Sequence, residues 1–258
     1  MTPQVGTGGN EAVKSASRAV QLLEFLADRQ GNPARLFEVA EALDAPRSSV
    51  HELLRTLSAA GWVRAEPVGN AYRLGLPSLL VGTSFLDSDP FVRLARPALA
   101  DLRDELGETV HLARYDRGRI VYLITEEARG EARKFSRVGR WLPAHATALG
   151  KAVLAARQEL PAGPLTKLTE QTITDPEDLA RELDQTRRRG YAIDLGEGTP
   201  DLVCVGVALA YTEPAEDAIS CSAPAVRMPA ERREEVHAAL RRTAALLADM
   251  APPAPGAA

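Results

Sequence analysis

The chain has 258 residues, 45% of them hydrophobic, with 31 lysines and arginines against 35 carboxylates and a formal net charge of -4. That length suggests two domains, and the apolar share is ample for packed cores. The acidity excludes general coating of nucleic acid, although a reader of one sequence needs only a locally suited face. Cys204 and Cys221 are the only cysteines and make no C-x-x-C pair, which fits a reducing compartment and offers no zinc motif. No apolar run approaches membrane-spanning length, and residues 1–10 lack a signal peptide's charged-then-apolar order. A soluble, cytoplasmic protein with no membrane partner is therefore expected.

Residues 1–12 are expected to form a disordered arm. Ala16, Ala19, Val20, Leu23, Leu26 and Ala27 recur at helical spacing and predict a first helix over 15–28, ended by Gly31-Asn32-Pro33. Leu36, Val39, Ala40 and Leu43 predict a short second helix. Only Asp44-Ala45 separates it from a third over 46–60, closed by Gly61, whose apolar face is Val50, Leu53, Leu54 and Leu57. The opposite face carries Arg47, Ser48, Ser49, His51, Glu52 and Arg55, a row able to reach phosphates and base edges. Taken alone, such a helix reads as an ordinary amphipathic one with a solvated face. Its neighbours change that reading. So tight a bend between two short amphipathic helices is a helix-turn-helix, in which Asp44 must tolerate a left-handed backbone. Residues 62–65 and 71–74 then flank Pro67-Val68-Gly69-Asn70, a hairpin signal. A winged helix over 13–75 follows. Its third helix would enter the major groove of double-stranded operator DNA, and Arg64 and Arg73 on the wing would contact phosphates.

Residues 76–89 read as a linker whose apolar helix, 78–86, is too hydrophobic to stand alone in water and must pack on something, such as a partner subunit. Asp89 caps, and Pro90 begins, a helix to Leu106 with Phe91, Leu94, Ala98, Leu102 and Leu106 inward and Gly107 as its stop. The period then changes. Residues 109–115 and 120–124 predict a hairpin through 116–119, and 134–138 a third strand. A helix over 146–156, a loop over 161–174 and a helix from Asp175-Pro176 to Gly190 follow. Arg187-Arg188-Arg189 reads as cations at that helix's C-terminus rather than as a DNA patch. Residues 191–194 predict a strand, and the apolar run 202–210 a strand covered on both faces. Residues 219–222 predict a strand with Ser220 and Ser222 on one face and Cys221 on the other. A closing helix over 230–250 turns Val236, Leu240, Ala244 and Leu247 inward, before a disordered Pro-rich tail over 251–258. Residues 90–250 are thus α+β, an antiparallel sheet with helices against it.

Signals for catalysis are thin. His111, His145 and His237 have no nearby motif, and Cys204 is the one strong candidate nucleophile. A Cys204–His145 pair, or a catalytic Asp194, keeps an enzyme with a winged-helix partner module as the alternative. Gly150-Lys151-Ala152 lacks the other residues of a phosphate-binding loop. Metal-ligand spacings are missing, and no cofactor is expected. The sharper reading is a small-molecule pocket. Asp194, Cys204, Ser220 and Ser222 sit on what should be neighbouring strands, where buried polar atoms must satisfy one another or hold a ligand.

Several blocks in order now carry a family resemblance. Residues 46–51 look like a recognition-helix start and Tyr72-Arg73-Leu74-Gly75 like the end of a wing. Ser136-Arg137-Val138-Gly139 and the run 142–152 form a central block. Residues 172–175 and 187–192 match as well, as does the spacing of Gly190, Asp194, Glu197, Cys204, Val205, Gly206 and Leu209. The chain resembles the IclR family of bacterial transcription regulators from about residue 13 to 249. The resemblance implies a mainly α, winged helix-turn-helix N-terminal domain, a linker helix, and an α+β effector domain resembling the GAF/PAS fold. It implies a non-enzymatic, ligand-responsive repressor that binds a pseudo-palindromic operator as a homodimer or tetramer. By matching position, Ala148 and Leu149 join Asp194, Cys204, Ser220 and Ser222 around the effector, expected to be a small hydroxylated or anionic metabolite. The chain departs from the family pattern at Asp44, Glu52 and Ala210-Tyr211, so the operator sequence cannot be read from Glu52.

Overall fold

A computed structural model describes residues 13–29, 31–130 and 137–251 of the chain, which divides into two compact units, Met1–Ser84 and Phe85–Ala258. The expected arm over 1–12, residues 252–258 of the expected tail and residues 134–136 of the expected third strand lie outside the described residues.

The first unit contains α1 (Lys14–Asp28), β1 (Ala34–Arg35), α2 (Leu36–Ala42), α3 (Arg47–Ala59), β2 (Val63–Ala65) and β3 (Ala71–Leu74). Leu22, Leu26, Val39, Val50, Leu54 and Val63 form its core. Within α1 the inward stripe is Leu22 and Leu26, flanked by Leu23 and Phe25, while Ala16, Val20 and Ala27 face solvent. The expected stripe gave weight to small alanines; the bulkier Leu22 and Phe25 bury more apolar area and set the rotation of the helix. Asp44 takes the left-handed backbone that the bend requires, at φ 44°. At the wing tip Gly69 and Asn70 both have positive φ, and the Glu66 N–H donates to the Ala71 carbonyl at 2.7 Å. β3 pairs antiparallel with both β2 and β1. The two-residue β1 is too short to alternate, so sequence reasoning does not see it. A Cβ on Gly75 would lie 1.8 Å from the Gly61 carbonyl oxygen, so only glycine fits at the root of the wing.

The chain then runs through α4 (Pro77–Ser88), on which Leu79, Leu80, Val81 and Phe85 are all exposed.

The second unit is built on α5 (Pro90–Leu106), β4 (Thr109–Asp116), β5 (Arg119–Glu126), β6 (Trp141–Pro143), α6 (Ala148–Arg157), α7 (Pro176–Arg189), β7 (Ala192–Leu195), β8 (Leu202–Ala208), β9 (Asp217–Pro224) and α8 (Ala230–Met250). Six antiparallel strands run in the order β6-β5-β4-β9-β8-β7. α5 and α8 cover one face over Leu99, Leu112, Val205, Ile219 and Leu240; α6 and α7 cover the other over Ile120, Leu149, Val153 and Leu179. β8 is covered on both sides, as its apolar run demands. Val203, Val205 and Val207 join the first core, and Cys204 and Ala208 pack on Ala148 and Ala152.

Caps and stops fall where local chemistry puts them. One oxygen of Asp89 accepts the Phe91 and Val92 N–H groups, Asp175 accepts those of Glu177 and Asp178, and Gly107 and Gly190 are left-handed. Arg187 and Arg188 both pair with Asp184 at 2.8 Å on the solvated end of α7. Three expectations need correcting. The buried face of α5 is Phe91, Val92, Ala95, Leu99, Leu102 and Leu106, with Leu94 exposed; Leu99 outweighs Ala98 in setting the phase. Arg137 and Val138 are not strand. The observed third strand of this half is β6, a three-residue edge strand whose Pro143 is tolerated because an edge needs no donor there. α6 starts at Ala148, not 146, because Ala144–Ala146 make a 3-10 turn and the Thr147 hydroxyl caps the helix by accepting the Gly150 N–H at 3.0 Å.

Candidate functional site

Two candidate sites emerge, one in each unit. In the first, α3 buries Val50 and Leu54 and leaves Arg47, Ser48, Ser49, His51, Glu52 and Arg55 all exposed. Glu52 is already engaged by Arg55 at 2.5 Å, one turn along the same exposed face. That pair contributes only a few tenths of a kcal/mol, so it is easily exchanged for other partners. Arg47 and the two serines sit in the first turn, where the positive end of the helix dipole favours an anion. On the wing, Arg64 and Arg73 stand directly opposite each other across the β2–β3 ladder, and Glu66 pairs with Arg73. Like charges in that position are unfavourable, a cost that a phosphate beside them would offset. Residues 1–84 hold eight cations, Lys14 and seven arginines, against eight carboxylates. Any attraction to DNA therefore comes from how this unit's charges are placed, not from their sum.

The second unit holds a small cavity of about 20 Å³ under the N-terminal end of α6, room for little more than a water molecule. Strand register explains its floor. Asp194 pairs with Cys204, and Cys204 with Ser222, in one row across β7, β8 and β9; Ser220 stands opposite His111 of β4. Thr147, Ala148 and Leu149 form its helical wall, and Leu142, Gly198, Thr199 and Leu202 close the sides. All six residues expected in a pocket, Ala148, Leu149, Asp194, Cys204, Ser220 and Ser222, line this one space.

A Cβ on Gly206 would lie 2.8 Å from the Ala148 carbonyl group, so β8 and the first turn of α6 meet backbone to backbone beneath the cavity. The loop after Asp194 is tied down twice. Lys151, 1% exposed, donates to Glu197 at 2.6 Å, and the Thr172 hydroxyl donates to the Glu197 carbonyl at 2.8 Å. Gly150-Lys151-Ala152, which fails as a phosphate-binding loop, thus contributes a buried structural cation.

Sequence reasoning missed His111, Tyr122 and Arg137, which also line the cavity. The His111 ring reaches Thr125 Oγ1 at 3.0 Å from Nδ1 and Ser222 Oγ at 3.2 Å from Nε2. Burial pushes the Tyr122 phenol up to about 12, so it enters as a neutral hydroxyl. Burial, and then the neighbouring Glu197 charge, raise Asp194 to about 6, against the Glu197 and Gly198 N–H groups that favour its ionised form. The signal that could have found His111 and Tyr122 is alternation on β4 and β5, but only the non-local β4–β9 pairing brings that face to the pocket. His145 is not part of it. Its Nε2 lies 3.1 Å from the Thr166 carbonyl, so the entertained Cys204–His145 pair is replaced by a backbone contact.

Among the described residues no helix is long and apolar enough to cross a membrane, and no cluster of His, Cys, Asp or Glu is arranged to hold a metal ion.

Residues 15–67 match the IclR helix-turn-helix domain, and residues 83–248 match the family model for the bacterial transcriptional regulator IclR C-terminal domain. The chain belongs to the IclR family. The transcriptional repressor IclR of Escherichia coli (strain K12) is 33% identical over 245 residues, covering 90% of this chain and 88% of that one. The crystal structure of an IclR transcriptional regulator from Alicyclobacillus acidocaldarius superposes with a TM-score of 0.76 at 26% identity, covering 92% and 98% of the two chains. An IclR homologue of Microbacterium hydrocarbonoxydans, solved in complex with 4-hydroxybenzoate, has a TM-score of 0.70 over 91% and 98%; at 23% identity that likeness speaks to the fold alone. Like other IclR-family proteins, this chain is a DNA-binding transcriptional regulator, with a helix-turn-helix domain followed by an α+β domain.

Proposed function

We propose that this IclR-family regulator is a cytoplasmic repressor that reads a pseudo-palindromic operator as a symmetric dimer, alone or paired into tetramers. A small-molecule effector held in the sheet cavity would control it. The observation that carries this reading is the pairing of an exposed polar helix face on one unit with a polar-lined cavity in the other. Arg47, Ser48, Ser49, His51, Glu52 and Arg55 face base edges and phosphates, and Arg64 and Arg73 hold the backbone. The exposed apolar side chains of α4 favour pairing of subunits, which a single helix reading few bases also needs. The effector acts only through a difference in its affinity between the states that bind and release DNA.

The site favours binding over catalysis. Both nitrogens of the His111 ring are occupied by hydroxyls, and His145 is held by backbone, so neither is poised as a base for Cys204.

A gel shift on the DNA upstream of the protein's own gene, at stated salt and with competitor DNA, tests the reading. A competitor-resistant complex lost in Arg47→Ala supports it. Specific binding that survives Arg47→Ala sinks the assignment of α3 as the reader.

A further inference from the structure

Asp89 is the single residue between α4 and α5. The proline after it disfavours helical dihedrals, and Asp89 sits extended at φ -89° and ψ 105°, so the chain bends there. A one-residue bend has two soft dihedrals and swings unless something holds it. At the end of α4, Leu86 packs on the core of the second unit, while Phe85 stays exposed. Asp89 supplies the rest of the hold. Its Oδ1 caps α5 by accepting the Phe91 N–H at 3.0 Å and the Val92 N–H at 3.3 Å, and its Oδ2 accepts from Arg114 NH1 at 2.7 Å.

Arg114 turns its other two nitrogens, Nε and NH2, onto Asp217 at 2.7 and 2.8 Å, so one guanidinium holds two carboxylates, one of them fully buried. Tyr211 donates to the same Asp217 and stacks on Phe91 in the first turn of α5, which closes the circuit. Arg114 and Asp217 face each other across the β4–β9 ladder. Three residues along, His111 faces Ser220. That odd offset puts the second pair on the other face of the sheet, where both residues line the cavity. One strand pair thus floors the cavity on one face and grips the bend on the other. Neither end needs the Asp89–Arg114 bond for itself. The cap of α5 uses only Oδ1, and the fork already neutralises Asp217. What that bond alone does is join the bend to the sheet.

We infer that Arg114 is a positioning residue for DNA reading: it ties the bend at Asp89 to the β4–β9 pair, and so passes the placement of those strands to the linker helix. The inference rests on the dimeric operator reader proposed above and supplies its control point.

Asp89→Asn is the decisive variant. Asn caps a helix about as well as Asp, so α5 keeps its start and the Arg114–Asp217 fork stays whole; only the link between them is lost. Arg114→Lys, which keeps a charge for Asp217 but cannot fork onto it and reach Asp89 at once, is the second. Circular dichroism and thermal melting check each fold. The full-length proteins are titrated against the operator and against copies whose half-sites are moved together or apart by one and two base pairs. Lost stability alone weakens binding to every spacing by the same factor; a loosened bend does not. Wild type should discriminate between spacings, and both variants should lose about tenfold of that discrimination. Coupling is reciprocal, so hydrogen exchange reads it from the other side. Operator DNA should change the protection of β4 and β9 amides in wild type and leave them unchanged in Asp89→Asn. An unaltered spacing preference in folded Asp89→Asn, or β4 and β9 amides that respond to operator alike in both proteins, would overturn the inference and leave the dimeric reader standing. A wild-type protein indifferent to spacing would strike that reading, and the inference with it.

Discussion

Asp194 shows how much one buried carboxyl can weigh. Its value rises from the ordinary 3.8 to about 6, so the folded chain holds this proton more tightly than the unfolded chain does. The contribution to stability is therefore fully present below pH 3.8 and is lost as pH climbs to about 6. Above that, the ionised group costs on the order of 3 kcal/mol. Asp194→Asn keeps an acceptor for the Glu197 N–H and removes the charge. Thermal unfolding should show a gain of several degrees at pH 7.5 that disappears near pH 4; equal melting points at both values would contradict it. Gly206 is the opposite case, a residue defined by what it lacks. Gly206→Ala places a methyl 2.8 Å from the Ala148 carbonyl and should cost about 1–3 kcal/mol in a denaturant melt. It should also weaken whatever ligand the cavity holds, because it displaces the turn that carries Ala148 and Leu149.

At the level of elements, strands β4 and β9 carry more than the pocket. Arg114 of β4 forks onto Asp217 of β9 at 2.7 and 2.8 Å and reaches Asp89 at 2.7 Å with its remaining nitrogen. Tyr211 donates to the same Asp217, and its ring lies 4.3 Å from that of Phe91. Asp217 is fully buried, so Arg114→Leu leaves a carboxylate without its cation and should cost about 3–5 kcal/mol. Tyr211→Phe should cost about 1–2 kcal/mol, and chemical denaturation separates the two. Tyr211 is one of the positions where the chain departs from its family's pattern, and nothing local announces its role.

That contrast marks what was legible in the sequence. Asp44, Asp89, Asp175, Gly107, Gly190 and the Gly69-Asn70 tip were readable because a cap or turn is decided within four or five residues. The polar row Asp194, Cys204, Ser222 was readable once the strands were taken as neighbours. His111 was not, because its partner Ser222 lies 111 residues away. The phases of α1 and α5 were missed for another reason: two overlapping stripes satisfy helical spacing, and only packing volume chooses between Leu99 and Ala98. β1 and β6 are too short to show a period, and their partners alone make them strands.

For the whole molecule, the apolar α4 is the telling element. Leu79, Leu80, Val81 and Phe85 are between 54% and 63% exposed, far more apolar surface than one isolated helix keeps in water without a partner. If it joins subunits, Leu80→Lys with Phe85→Glu should shift sedimentation toward the monomer and reduce operator affinity at least tenfold, with the melting of the second unit unchanged. An unaltered oligomer in that variant would place the joint elsewhere. The strand order has a consequence of its own, in time rather than in space. The reading unit draws its core from residues 22–63 and is complete by residue 84. The cavity closes only when β9, ending at Pro224, inserts between β4 and β8, another 140 residues along the chain (224 less 84). At about 5–20 residues per second, synthesis delivers the whole helix-turn-helix unit roughly 7–28 s before the last strand of the cavity, so the first unit has its complete core while the sheet of the second still lacks its middle.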